Sequence, residues 1–483
     1  MAIFRVTDFS GGISPFAEGG KTILDAEGAF FQNQPPYLSG HPTNATIDFP
    51  VASVGTIFWM TAAQTSFAYG FNYKNSRVEI LQFIGTQAST VATGASFNLD
   101  RAEGGLAEYQ NQLFFSDPGG EKLRHWDFDS TTSVTACSAS GTYGPLYKHR
   151  ERLFVGKHGI EAATGEGNVR AHIDIIQGGS ELTEAIAFDR GERVNSLSNL
   201  NEYLVIALSS KRIVVWDGLS LSPDYEFNLA DEPRAMYNLD NILYIWAPPH
   251  LYAMQSFGSQ PQKVTTIPAR FRSNNQIGRI GTVPGGLTGW NGILYFTTKR
   301  DEGEESTKHG LWAFGAIHAQ APNALSFIAT PNTDDDISVD EGGHALVANG
   351  DVLFVGMNEG FRSAVYTYHP KNDFGDYEVS LAAQDLGVPE AQKQVLRVGL
   401  LTLPLPSGAS VGVQYREEYS STAFTPIKLN VVDEVYRYGV LNNAPYGRKF
   451  EFKLTGNASG ASSPTITGFM AHIEGSVPSE FGQ

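Results

Sequence analysis

A short pattern of polar and apolar residues recurs along the chain. Two or three polar, turn-forming residues lead into a run of apolar, β-forming residues, and a second apolar run follows. Such a polar turn beside apolar runs predicts β-hairpins. The most complete copies are at 239–246, 290–297 and 349–356, with second runs at 251–254, 311–314 and 365–368.

Further copies extend the repeat towards the start of the chain. Counted from 57, 113, 153, 204, 243, 294 and 353, successive copies are 39 to 59 residues apart. Repeats of this length are typical of a β-propeller, in which small sheets bury their faces against their neighbours. The sequence therefore predicts an all-β protein with a propeller of six or seven blades over 46–388. The additional copies are 57–59 with 78–80, 109–115 with 123–126, 149–156 with a second run near Val169, and 200–206 with 213–216.

The pattern changes after a boundary near 387–389. Strand-like runs then follow one another at shorter spacing, separated by turns rich in Gly, Ser and Asn. Short strands with such turns predict a separate C-terminal β-sandwich over 389–483. The runs are at 396–402, 411–416, 435–440, 449–454 and 466–473.

The first 45 residues are predicted to be an extended arm that lies on another surface. Paired glycines and prolines punctuate this segment too closely for long regular elements. Removal of such an arm is expected to leave the remaining chain folded.

Composition excludes several classes of protein. With 51 acidic and 34 basic side chains, the net charge is −17, which argues against a general nucleic-acid or anionic-membrane binder. There is no run of 18 apolar residues, so no membrane-spanning helix is expected, and the first residues lack the build of a secretory signal. A single cysteine, Cys137, rules out an intramolecular disulfide and is interpreted as a small core residue.

Two stretches carry a family resemblance. The opening 8–13, with Phe9, Gly11, Gly12 and Ile13, resembles the start of many bacteriophage virion proteins. The stretch from 153 to 218 is similar to propeller-bearing tail proteins such as the nozzle proteins of short-tailed phages. The resemblance is a general similarity of residue pattern over most of the chain, and it implies a propeller followed by a β-sandwich.

Several motifs are candidates for chemistry. Trp126-Asp127 and Trp216-Asp217 are similar to the dipeptide that ends WD40 repeats, but they are interpreted as core aromatics followed by a turn acid. The run 338–342 matches only the start of a sialidase-type turn. Asp334, Asp335 and Asp336 offer oxygen ligands for calcium, but without the glycine of an EF-hand they are interpreted as a solvated acidic loop. The charged run 299–305 is interpreted as an insertion on one face of the propeller.

The sequence contains no phosphate-binding loop, nucleophile elbow or zinc-protease motif. We therefore predict a non-enzyme with no catalytic residues, cofactor or metal.

The predicted function is a structural component of a phage tail, such as a nozzle, tail tip or fibre-attachment protein. It would serve assembly and DNA delivery or host attachment. The expected partners are other virion proteins and further copies in a ring, with a host surface glycan as an additional partner. The chain would be made in the host cytoplasm and reside in the virion tail. Candidate interaction residues are Phe9, Gly11, Gly12 and Ile13 of the arm, and Asp334, Asp335 and Asp336.

The alternative is a propeller that binds or hydrolyses glycans at a cell surface. Its motivation is two aromatic segments, 143–147 and 246–250, that have rings suited to stacking on sugars.

Overall fold

The protein is described by a computed structural model. Its described residues contain strands and turns and no helix, and thus none with the length and apolar character that a membrane crossing requires. The chain forms two compact units. The propeller unit comprises Asn44–Leu311 and Thr330–Tyr368, and the terminal unit comprises Met1–Thr43, Trp312–Ala329 and His369–Gln483. The structure describes residues 2–6, 23–27, 29–33, 37–41, 44–46, 56–63, 67–74, 77–84, 87–96, 104–117, 122–128, 134–135, 143–159, 170–178, 180–268, 282–299, 309–315, 323–329, 342–359, 362–369, 373–384, 392–417, 423–441 and 446–476.

Seven antiparallel sheets of four strands follow one another along the middle of the chain. We call them blades one to seven. In the first six, the four strands are consecutive in sequence, whereas blade seven takes its outermost strand, β5, from before blade one. In the division of the chain into two units, β29 and most of β28 are assigned to the terminal unit.

The strands of the blades are, in chain order, β5 (Asn44–Thr46), β6 (Thr56–Ala63), β7 (Phe67–Lys74), β8 (Arg77–Ile84), β9 (Gln87–Ser96), β10 (Leu106–Tyr109), β11 (Gln112–Asp117), β12 (Lys122–Trp126), β13 (Val134–Thr135), β14 (Tyr143–His149), β15 (Arg152–Lys157), β16 (Arg170–Gln177), β17 (Ser180–Arg190), β18 (Val194–Leu200), β19 (Tyr203–Leu208), β20 (Arg212–Trp216), β21 (Tyr225–Asn228), β22 (Ala235–Leu239), β23 (Ile242–Ala247), β24 (His250–Met254), β25 (Gln262–Thr266), β26 (Leu287–Trp290), β27 (Ile293–Thr298), β28 (Gly310–Gly315), β29 (Ala324–Ala329), β30 (Gly342–Asn349), β31 (Val352–Glu359) and β32 (Arg362–Tyr368).

The first strands of the blades close a ring. Each of β6, β10, β14, β18, β22, β26 and β30 contacts the first strand of the next blade, and β30 contacts β6. A hydrogen bond from backbone to side chain reinforces this last junction, where the N–H of Ile57 in β6 donates to Nδ1 of His344 in β30 at 3.4 Å. The fold is therefore a β-propeller, and its described sheets number seven.

The hydrophobic cores lie between neighbouring blades. The core between blades four and five joins Val205 and Val215 to Leu243 and Ile245. The core across the closing junction includes Phe83 of blade one and Phe354 of blade seven, with ring centroids 6.0 Å apart. A single four-stranded sheet could not cover both of its faces, so the stability of each blade depends on its neighbours.

The recurring polar turn of the sequence joins the first two strands of a blade. In blade five, Leu239 pairs with Ile242, and the intervening Asp240 and Asn241 have φ angles of 52° and 63°. Positive φ at both central residues defines a tight type I′ hairpin, which Asn, Asp and Gly tolerate best. The same geometry occurs in blades two and six, whereas in blades three, four and seven only the first turn residue has a positive φ.

Blade one differs from the predicted alignment. The sequence pattern placed Ile57 in the position that Leu243 occupies in blade five, but Leu243 lies in a second strand and Ile57 lies in a first strand. Its expected partner at 78–80 lies in β8, the third strand. The second strand of this blade, β7, has small and polar residues between its aromatic ones. It therefore does not match the apolar run that marks the second strand in the other blades.

The terminal unit contains two antiparallel sheets. One has the order β3-β4-β41-β34-β38-β37, with β1 on β41 and β39 on β34, and the other has the order β2-β33-β40-β35-β36. Rings of the two sheets meet where Phe452 lies 5.0 Å from Phe469. The predicted β-sandwich stays a prediction. The strands are β1 (Ala2–Val6), β2 (Ile23–Glu27), β3 (Ala29–Asn33), β4 (Tyr37–Gly40), β33 (Tyr377–Gln384), β34 (Gln392–Thr402), β35 (Ser410–Glu417), β36 (Thr425–Ile427), β37 (Asn430–Val431), β38 (Tyr436–Val440), β39 (Tyr446–Gly447), β40 (Phe450–Asn457) and β41 (Ile466–Ser476).

The beginning of the chain departs from the predicted extended arm. Its described residues form β1 to β4, and β1 and β4 pair with β41 while β2 pairs with β33. Strands of four or five residues fit between the closely spaced glycines and prolines, and the sheets supply the hydrogen-bond partners that an isolated arm would lack. The sequence boundary near 388 is also too late, because β33 already pairs with β40 and the propeller unit ends at Tyr368.

Candidate functional site

A cavity of about 620 Å³ lies in the propeller unit where the first strands of all seven blades converge. Each first strand contributes residues at fixed distances from the hairpin turn that follows it. Four residues before the turn the side chain is apolar and buried, as in Leu106, Leu146 and Leu197. Three residues before the turn the series is more polar, with Tyr147, Ser198, Tyr237 and Thr288 among its members. This converging wall is the candidate functional site.

Hydrogen bonds order one side of the cavity wall. The hydroxyl of Tyr147 donates to Oδ1 of Asn199 at 2.6 Å, and the amide of Asn238 donates to the carbonyl of Asn199 at 2.8 Å. Asn199 is further held by the bond from its Nδ2 to the carbonyl of Asn201 in the turn, at 3.1 Å. Burial raises the pKa of Tyr147, and the neighbouring Tyr237 adds to the rise. The phenol therefore stays neutral near pH 7 and serves as a hydrogen-bond donor.

Opposite charges stand along the same wall. Glu108 of blade two and Lys148 of blade three both line the cavity, as does Asn241 of blade five. Hydroxyl, amide, carboxylate and ammonium groups around an apolar wall suit reversible binding of a polar ligand through hydrogen bonds.

A second concentration of ionisable groups is buried within blade three. The ammonium of Lys157 lies 2.9 Å from Oδ2 of Asp174, and it also lies over the Tyr143 ring at 4.6 Å from its centroid. Oδ1 of Asp174 accepts the backbone N–H of Glu184 at 2.9 Å and lies 3.4 Å from Nε2 of His172. Because both members of the ion pair are buried, their mutual attraction offsets a large cost of desolvation. These contacts are those of a structural pair that ties β15 to β16.

In the part of the chain that the structure describes, no three or more His, Cys, Asp or Glu side chains are grouped so that they could hold a metal ion.

The interaction residues predicted from the sequence lie outside the described residues. This applies to Phe9, Gly11, Gly12 and Ile13, to Asp334, Asp335 and Asp336, and to Cys137. The strand ends beside the acidic segments are described, however. Lys299 forms an isolated bridge with Gly342, so the chain leaves β27 for 300–308 next to the point where it returns from 330–341.

The two Trp-Asp dipeptides have the structural roles expected of them. Trp126 and Trp216 are buried in the cores. The carboxylate of Asp127 accepts the side-chain amide of Gln112 at 2.6 Å, and that of Asp217 accepts the N–H groups of a turn. Their interpretation as core aromatics followed by turn acids is confirmed.

The aromatic segments proposed for sugar stacking are mostly buried. Trp246 is fully buried and lies 4.6 Å from the Phe296 ring, and Tyr143 is buried beneath Lys157. Tyr147 faces the cavity. Trp246 and Tyr143 therefore provide no open stacking surface, because the blade cores use these rings for packing.

Apart from Leu146 and Tyr147 of the aromatic segment 143–147, sequence reasoning missed the cavity residues, although a signal was present. Ala107, Tyr147, Ser198, Tyr237 and Thr288 each stand three residues before a hairpin turn. If the copies of the repeat are aligned on this turn, these five residues occupy the same position in the strand that precedes it.

Comparisons with known proteins add little. Neither a protein-family profile nor a curated protein sequence matches the chain. Among solved structures, the WD40 β-propeller domain of Doa1 is 9% identical over 68% of this chain and 97% of its own, with a TM-score of 0.45. The Cps50 (Swd1) β-propeller domain of Myceliophteria thermophila is 9% identical over 67% and 99%, with a TM-score of 0.45. The computationally designed Ika8 protein is 11% identical over 71% and 95%, with a TM-score of 0.41. These similarities concern the fold alone.

Proposed function

We propose that this chain is a structural component of a bacteriophage tail, with the place of a nozzle, tail-tip or fibre-attachment protein. The sequence resemblance motivates the proposal, and one structural observation supports it. The first and last residues of the propeller unit, Asn44 and Tyr368, are partners in the same sheet. The ring is thus closed by its own backbone hydrogen bonds.

A closed ring is suited to a scaffold. Closure leaves only the outermost strands of the blades as edges, and it presents the connecting loops from a rigid support. Such a platform favours assembly with other tail proteins and with further copies of this chain in a ring.

Charge fits a place beside the DNA path. A wall rich in Lys or Arg would grip the phosphates of DNA that must slide, and this chain has an excess of acids with a net charge of −17. The described residues Lys299 and Gly342, which form a bridge, come directly before and after two acid-rich segments of the sequence, 300–308 and 330–341. We propose that these segments face the path of the DNA.

The decisive experiment is to locate the chain in particles. Phage carrying an epitope tag after Gln483 of this chain would be purified, and the copies per particle would be counted by quantitative mass spectrometry and located by electron microscopy. A fixed copy number at one level of the tail is the expected result. Purified, infectious particles that lack the chain would overturn the proposal.

A further inference from the structure

Blades four and five display an unusually exposed apolar surface. Leu219 and Leu221 are 70% and 91% exposed, and Tyr225 and Phe257 are 41% and 36% exposed. Together with Tyr203 we call these residues the leucine–aromatic patch. Single exposed apolar side chains are ordinary, but five in neighbouring segments indicate an interaction surface.

Hydrogen bonds fix the backbone of the loop that carries the two leucines. Oδ1 of Asp217 accepts the N–H groups of Leu219 and Ser220, each at 2.8 Å. The indole of Trp216 donates to the carbonyl of Ser220 at 2.7 Å. At the other end of the loop, the carboxylate of Asp224 accepts the N–H of Asp217 at 2.8 Å. The loop is therefore preorganised, and a partner would bind the leucines without first ordering them.

The aromatic half of the patch is a cluster of three rings. Phe257 stacks on Tyr203 with centroids 4.6 Å apart, and Tyr225 lies 5.8 Å from Phe257. Tyr225 also begins β21, the outermost strand of blade four, so its ring stands at the rim of the propeller. Aromatic faces carry partial negative charge and attract Lys and Arg.

Acidic side chains outnumber basic ones around the patch. The segments 201–203, 217–228 and 255–261 contain Glu202, Asp217, Asp224 and Glu226, and no Lys or Arg. Three arginines of blades three and four reach the patch. Arg150 pairs with Glu202 and Arg212 with Glu226, each at 3.0 Å, and the guanidinium of Arg152 donates to the carbonyl of Gly218 at 3.1 Å. Asp217 and Asp224 remain as carboxylates that accept only backbone and hydroxyl donors in this loop.

We infer that the leucine–aromatic patch is a docking surface for a basic protein segment that carries apolar side chains between its Lys or Arg residues. Its apolar side chains would cover Leu219 and Leu221, while its cations would lie against Tyr225, Phe257 and the carboxylates. This inference is independent of the proposed place in a phage tail, since it concerns only the chemistry of the partner.

Charge separates this partner from other occupants. A second copy of the chain would bring another −17 charges towards an acidic patch, which opposes association. A glycan would use the rings and carboxylates, but it would leave the two outward leucines without a role.

The inference can be tested with a fluorescein-labelled synthetic peptide of alternating Leu and Arg. Two matched peptides would carry Glu in place of Arg, or Ser in place of Leu. Fluorescence anisotropy should show binding of the Leu-Arg peptide only. The double variant Leu219→Ser/Leu221→Ser should weaken it by roughly tenfold or more, as loss of central contacts in an interface does.

A matched control comes from blade one, which adjoins neither blade four nor blade five in the ring. Ile84 is 49% exposed at the end of β8, and Ile84→Ser should leave peptide affinity unchanged. Thermal melting would establish that both variants fold. Equal binding of the Ser-Arg and Leu-Arg peptides, or unchanged affinity in the double variant, would refute the inference. So would sedimentation that shows self-association of the protein alone, abolished by the double variant, because the occupant would then be a second copy.

Discussion

Asn44 and Tyr368 lie opposite each other in antiparallel strands, one at the first residue of the propeller unit and the other at its last. Between them the chain builds all the other strands of the propeller. The segment before blade one therefore completes blade seven, and the ring depends on residues that are more than 300 positions apart in sequence.

A disulfide across this junction should stabilise the propeller. Ala45 pairs with Thr367, and partners in an antiparallel ladder have the Cα separation that a disulfide needs. In a Cys137→Ser background, Ala45→Cys/Thr367→Cys is expected to gain roughly 2–4 kcal/mol when oxidised, because the bridge closes a very long loop. Melting with and without reductant measures the gain. If the oxidised and reduced forms melted together, with the bridge proven by mass spectrometry, the junction would not limit stability.

Deletion of residues 1–46 should destabilise the protein rather than release an intact remainder. The deletion removes β5 from blade seven and β1 to β4 from the sheets of the terminal unit. Those strands would leave unpaired backbone groups and uncovered apolar surface. Calorimetry should show a lower melting temperature, and limited proteolysis should show faster cleavage. A truncated protein that melted like the full chain would restore the view of this segment as an independent arm.

His344 should make the propeller sensitive to acid. Burial lowers the pKa of His344 to about 3, with Lys299 adding to the decrease, and its Nδ1 accepts the N–H of Ile57. Because the unfolded chain takes up this proton near pH 6.5, stability should fall as pH drops below that value, by about 1.4 kcal/mol per pH unit until the folded pKa is reached. The variant His344→Asn removes the titration. The free energy of unfolding of both proteins, followed from pH 7 to pH 4.5, should therefore converge; parallel curves would contradict the assignment.

The buried ion pair of blade three predicts a large effect for a small substitution. Asp174→Asn would leave the buried ammonium of Lys157 without its counter-charge, and it should cost about 3–5 kcal/mol. Adding Lys157→Met to Asp174→Asn should recover much of this loss, since the unpaired charge is then gone. Chemical denaturation gives the free energy of unfolding of the wild type, of Asp174→Asn, of Lys157→Met and of the double variant. These four values form a double-mutant cycle, which yields the coupling energy of the pair. Additive single effects would mean that the pair has no coupling.

Within the proposed function, the acidic segment at 334–336 should matter for DNA passage. Replacing Asp334, Asp335 and Asp336 by Lys adds phosphate-binding charge, so DNA ejection from particles should slow, most strongly at low salt. Replacement by Asn is the matched control, because it removes the carboxylates without adding cations. Normal ejection by the Lys variant, with altered adsorption to the host, would point to receptor binding.

The sequence by itself determined the local structure of the blades. A polar pair that tolerates positive φ, followed by a β-forming run, allows little other than a tight hairpin, and so the second strands of blades two to seven were located from 113, 153, 204, 243, 294 and 353. These signals are local, since each turn is specified by its own residues.

Only the tertiary structure decided the long-range pairings and the surface. Nothing in the sequence of residues 44–46 indicates that they pair with 366–368. Likewise, β1 pairs with β41 although almost the whole chain separates them. The reason is that a strand pairs with whichever sheet edge the rest of the fold leaves open. Exposure is decided in the same way. Trp246 and Leu221 are both apolar residues near turns, yet one is sealed between blades and the other stands in solvent, since burial depends on what packs alongside.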